Sequence, residues 1–92
     1  MALLRLSIKA DDILTTNYID AHDCAITRAL DRAGYSNYMH VGTEICDKDF
    51  NIIVDGRNSD FRALTDLVYN LYDCKLEGRY EEIKSFQFTI KY

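Results

Sequence analysis

Apolar residues recur with period two near both ends of the chain and with a helical period between them. Leu4, Leu6 and Ile8 alternate with Arg5, Ser7 and Lys9, the pattern of a strand with one buried face. Residues 10–20 read as a polar connection, with Asp11, Asp12, Thr15, Thr16 and Asn17. Ile26, Ala29, Leu30 and Ala33 then share one helical stripe, and Gly34 supplies a C-terminal stop. Asp20 and Asp23 stand at its front and Arg28 and Arg32 near its back, as the helix dipole favours.

The period returns to two at Met39, Val41, Thr43 and Ile45, and again at Phe50, Ile52 and Val54, with Asp47–Asp49 as a tight connection. Two short strands around such a loop predict a hairpin, with these residues facing inward. The segment Arg57-Asn58-Ser59-Asp60 offers helix caps. Phe61, Leu64, Val68 and Leu71 form the next core stripe, widened by Leu67, and Gly78 lies beyond its end. Finally Phe86, Phe88, Ile90 and Tyr92 alternate with Gln87, Thr89 and Lys91.

The expected order is therefore β-α-β-β-α-β. An α+β fold satisfies every apolar stripe: a ferredoxin-like, antiparallel four-stranded sheet with two helices on one face. Such a fold hosts many functions and implies none.

Composition narrows the classes. The 92 residues, 48% apolar and 28% charged, suit one domain over 1–92. With no Pro and 4 Gly, no stretch reads as a linker. The net charge of −4 is spread among mixed signs, so nucleic-acid binding is not expected. No apolar run suits a signal peptide or a membrane span. Three widely spaced cysteines without a CxxC pair point to reduced thiols and a cytoplasmic setting.

The run His22-Asp23-Cys24 is the first candidate for chemistry. With Asp20 as N-cap, His22 and Cys24 point to nearly opposite sides of the helix. Ile19 then packs on Cys24 as a hydrophobic staple, and Asp23 closes a capping box. With Asp23 as the cap, Cys24 becomes the first helical residue, and the helix start favours its thiolate. Capping accounts for every residue of the run, so the expectation is an ordinary Cys24 with no base in reach. His22, Cys24, His40, Cys46 and Cys74 lack zinc-ligand spacing. His40 and Cys46 on one extended strand would stand about 20 Å apart. Neither a metal nor a cofactor is expected, and no phosphate loop or nucleophile elbow is present.

Two surfaces remain. The open sheet face carries Arg5, Tyr38, His40 and Ile53, but its central strands bring no aromatic to stack a base. On the second helix, Tyr69, Tyr72 and Leu76 stand at i, i+3 and i+7 beside the core stripe, and tyrosine with leucine suits an interface. The leading expectation is a small non-catalytic module that binds a partner protein or its own copy. Phage and mobile-element accessory proteins that inhibit a host factor, acting in the host cytoplasm, are a frequent class of this description. The alternatives are a ligand- or nucleotide-binding module on the open sheet face with the 10–20 loop, and a thiol enzyme centred on Cys24. A basic pocket beside the sheet would favour the first alternative; an exposed Cys24 with a base in reach would favour the second.

Overall fold

The structure, a computed structural model, describes residues 2–17 and 20–92. Its strands are β1 (Leu3–Ile8), β2 (Tyr38–Val41), β3 (Glu44–Asp47), β4 (Ile52–Val54) and β5 (Phe86–Lys91). Its helices are α1 (Ala10–Leu14), α2 (Ala25–Arg32) and α3 (Ser59–Leu76), and a 3₁₀ turn covers Tyr80–Glu82.

The fold is α+β, but the single ferredoxin-like sheet is not formed. β1 pairs only with β5, and β2-β3-β4 make a separate three-stranded sheet. The cause lies at Gly42. The alternation of Met39, Val41, Thr43 and Ile45 runs straight through it, yet the chain folds back there. Gly42 takes φ +61 while Thr43 keeps an ordinary negative φ, which is the pattern of a two-residue hairpin turn with Gly first. The segment expected as one strand becomes β2 and β3, paired Tyr38 to Asp47 and Val41 to Glu44. β4 then pairs with β3, and β1 is left with β5.

This turn also reverses the expected facing of β2. Residues directly opposite in an antiparallel pair share a face. His40 is opposite Ile45, and Ile45 opposite Val54; Ile45 and Val54 belong to the core, and the His40 ring meets Phe61 edge-on at 5.4 Å. Met39 is opposite Cys46, and a register irregularity between Ile45 and Cys46 sets Ile52 opposite Cys46 although Val54 is opposite Ile45, so Met39, Cys46 and Ile52 occupy the outer face.

β1 and β5 follow the expected parity. Leu4, Leu6, Ile8 and Ile90 are buried, and Phe86 and Phe88 pack against the core half-buried. In α3, the Asn58 side chain accepts the Phe61 N–H at 2.9 Å, a true N-cap. Phe61, Leu64 and Val68 are buried as expected, while Leu67 remains exposed.

The 10–20 connection is not simply a loop. It contains α1, which buries Ile13 and Asp12. Asp12 is held on both carboxylate oxygens: Lys9 N–H donates to Oδ2 at 2.9 Å and Arg32 Nη2 to Oδ1 at 2.7 Å. Arg32 also donates to the Ser7 carbonyl at 2.6 Å. One ion pair thus ties the end of β1, α1 and the end of α2 together. Gly56 fits close to the hairpin turn, where a Cβ would stand 2.7 Å from the Thr43 carbonyl oxygen.

Candidate functional site

The start of α2 differs from both readings of the sequence. The N-cap is Cys24, neither Asp20 nor Asp23, and its sulfur accepts the Thr27 N–H at 3.4 Å. Asp20 instead accepts the His22 N–H at 3.0 Å in a local turn. Asp23 pairs with Arg28 at 2.8 Å, which holds its carboxyl below the ordinary carboxylate range. His22 is exposed. The staple residue Ile19 lies outside the described residues.

Cys24 is 2% exposed, and a base does lie in reach of it. His40 Nδ1 is 3.7 Å from its sulfur. The folded β2 explains this: the His40 N–H donates to Thr27 Oγ1 at 3.0 Å, laying β2 against the first turn of α2. His40 is 5% exposed, and its Nε2 is buried without a hydrogen bond. Burial pushes its pKa below the ordinary histidine value, opposed more weakly by the pull of the nearby Gly42 carbonyl. The ring is therefore neutral at pH 7. His40 belongs to the interior, and leaves the set Arg5, Tyr38, His40, Ile53 without its central member. Arg5 is exposed; Tyr38 and Ile53 are half-buried against the core.

The stripe on α3 is divided as well. Leu76 is 78% exposed and Tyr69 remains at the surface, but Tyr72 is 3% exposed. Its hydroxyl receives the Ala25 N–H at 3.0 Å and bonds Thr16 Oγ1 at 2.6 Å. Thr16 in turn donates to the Asp12 carbonyl. Burial raises the Tyr72 pKa; the bonds from Thr16 and Ala25 oppose it. Tyr72 is a core residue with a satisfied polar end, and only Tyr69 and Leu76 of the three face outward.

A different surface stands out. Met39, Cys46 and Ile52 are cross-strand neighbours on the outer face of the three-stranded sheet. The row runs from buried Met39 and Cys46 to Ile52, which is 55% exposed. Next to it, Phe50 is 68% exposed and holds φ +63, a conformation costing a residue with a Cβ about 1–2 kcal/mol. The turn enforces it: Asp47 Oδ1 accepts the N–H groups of Asp49 and Asn51, both at 2.9 Å, and the Asp47 carbonyl accepts the Phe50 N–H at 3.0 Å. Phe50 and Met39 also border an open groove of about 1030 Å³, whose other wall is α2 with Thr27 and Arg28 and the turn before it with His22. Four cations and four carboxylates line it (Lys9, Arg28, Arg32 and Lys48; Asp11, Asp12, Asp23 and Asp31), so it has no net basic character for a phosphate. Three residues of this surface, Met39, Phe50 and Ile52, carry the strand parity of inward-facing positions in the sequence. The available signal was Gly42, a turn residue inside a strand pattern.

No group of three or more His, Cys, Asp or Glu side chains is placed to hold a metal among the described residues. Nor is any helix among them long and apolar enough to cross a membrane. Compared with protein-family models, curated proteins and solved structures, the chain matches none.

Proposed function

We propose that this chain is a small non-catalytic module that binds a partner protein through the outer face of its three-stranded sheet. One observation carries the reading: the Met39–Cys46–Ile52 row runs into Ile52 and Phe50, both exposed. Phe50 gains little burial of its own from a backbone conformation that glycine adopts at no steric cost. Strain of this kind persists where the surrounding turn over-determines it, and it concentrates at binding sites. Aromatic residues, Phe included, are enriched at interfaces, and an exposed one at the lip of a groove suits an anchor. The partner proposed is a folded host protein that packs an apolar side chain against Phe50 and Ile52, and is inhibited by occupancy rather than by chemistry.

The test uses the whole chain as bait in lysate of its native host. A partner retained by wild type should be lost from Phe50→Ser with Ile52→Lys, and retained by Leu76→Glu on α3. Melting curves of all three should coincide to within a few degrees. Retention by the double variant together with loss from Leu76→Glu would move the interface to Tyr69 and Leu76. Sedimentation of the free chain separates a partner protein from self-association.

A further inference from the structure

We propose that Cys24 and His40 form a thiol–imidazole pair whose sulfur a small hydroperoxide oxidises to a sulfenic acid. The residues are sixteen positions apart and meet because β2 packs on the start of α2. Their approach is 3.7 Å, from Sγ to Nδ1. A second contact supports the charge that develops on sulfur: the Thr27 N–H, one of the open donors of the first helical turn, points at Sγ from 3.4 Å. Nothing in the binding surface uses either residue. In the tautomer with the ring proton on Nε2, Nδ1 accepts from the thiol, which also has the Thr27 hydroxyl oxygen at 3.4 Å as an acceptor.

The step balances as follows. The thiol proton passes to Nδ1 of the neutral imidazole. The sulfur attacks one peroxide oxygen, an S–O bond forms and the O–O bond breaks. The leaving oxygen takes the proton back from the imidazolium and departs as water, or as an alcohol from an organic peroxide. Sulfur loses two electrons to the peroxide, and His40 returns to its neutral form.

Access is narrow, which sets the size of the reagent. Thr27 lines the groove and also contacts Sγ, so the groove ends one side chain short of the sulfur. A reagent that reaches the sulfur must be small enough to pass the Thr27 side chain, which selects a peroxide over a peptide. The other cysteines lack these features. Cys46 lies on the outer sheet face, where burial, with Glu44 and Asp47 adding to it, pushes its thiol pKa up. Cys74 is buried at the end of α3.

The charged and titratable groups around the pair are few. Tyr72 approaches from α3 with its hydroxyl bonded to Ala25 and Thr16. Asp12 lies beyond it, paired with Arg32, and Asp23 is paired with Arg28. Cys46 sits on the adjoining strand.

The experiment treats the folded chain with hydrogen peroxide and dimedone and measures the sulfenate adduct at each cysteine by mass spectrometry. Cys24 should react about a hundredfold faster than Cys46 and Cys74, and His40→Phe, which keeps a ring against Phe61, should remove about that factor. Equal rates at the three cysteines or an unchanged rate in His40→Phe would each overturn the proposal. If His40→Phe fails to fold, the wild-type rates at the three cysteines decide alone.

Discussion

The Tyr72 hydroxyl accepts the backbone N–H of Ala25 at 3.0 Å and bonds the Thr16 hydroxyl at 2.6 Å. Thr16 already donates to the Asp12 carbonyl, so Tyr72 donates to Thr16 and receives from Ala25. One side chain of α3 thereby satisfies a donor that the first turn of α2 leaves open and fixes the chain leaving α1.

Tyr72→Phe should therefore destabilise the fold by about 1–3 kcal/mol, because the Ala25 N–H is stranded in the interior. Leu76→Ala, four residues on and exposed, should stay within about 0.5 kcal/mol of wild type. Urea denaturation of both variants checks this. Equal stabilities would remove Tyr72 from the core.

Arg32→Ala should cost about 1–3 kcal/mol, less than a fully buried pair because the Arg32 side chain is partly exposed. It leaves the buried Asp12 carboxylate with one partner fewer. Asp12→Asn with Arg32→Met should recover part of the loss, since removing both charges removes the desolvation problem. The readout is the denaturation midpoint of the single and double variants.

His40 predicts a pH dependence of stability. Its folded-state pKa is lowered, chiefly by burial, so the unfolded chain takes up the proton first. The contribution is complete above about pH 6.5, the unfolded value, and declines as pH falls toward the folded value, by at most about 1.4 kcal/mol per unit. Asp23, Asp47 and Asp55 are also lowered, by hydrogen bonds from Arg28, Asn51 and Arg57 respectively. Their contributions are lost only at more acid pH, below about 4. Melting temperatures from pH 7.5 to 4.5 should fall in wild type and stay flatter in His40→Phe.

Phe50→Gly separates stability from binding. It relieves the left-handed conformation but adds chain entropy to the unfolded state, so stability should change by less than about 1 kcal/mol in either direction. Partner retention should be lost. A large destabilisation would show that the ring packs on the fold, contrary to its exposure.

Ile90→Ala should destabilise more than Phe88→Ala. Strand parity alone suggests the full cost of a buried phenylalanine, about 3–5 kcal/mol, at Phe88. Phe88 is only half-buried, while Ile90 is fully so, which moves the larger cost to position 90. Thermal melts of the two variants rank them.

These comparisons show which physical signals reach the sequence. β1, β5 and α3 were legible because each repeats one period long enough to mark a face, and Asn58 caps α3 where expected. β2 and β3 were not, because a turn that keeps the alternation unbroken through Gly42 looks like a continuing strand. α1 escaped because five residues with two aspartates carry no stripe, and its stability comes from the distant Arg32 and Tyr72. The Cys24–His40 contact joins two elements whose packing no local spacing encodes. Tyr72 was placed on the surface stripe by helical angle, though its angle lies beside the core edge and its hydroxyl finds partners inside.

The two-stranded β1–β5 ribbon has a consequence for the order of assembly. Ala2 and Tyr92 exchange both backbone hydrogen bonds, at 2.8 and 3.0 Å, so the chain's first strand is matched with its last. Closing a loop of that length carries an entropic cost that grows slowly with its size, but it must be met before the pairing returns anything. A ribosome delivers Leu4, Leu6 and Ile8 long before Phe86 through Ile90. Until Phe86–Lys91 emerges, β1 carries an apolar face and two unpaired edges. α2, which packs against β1, and the three-stranded meander, closed by short connections, can form earlier, so that α2 covers the strand until its partner arrives.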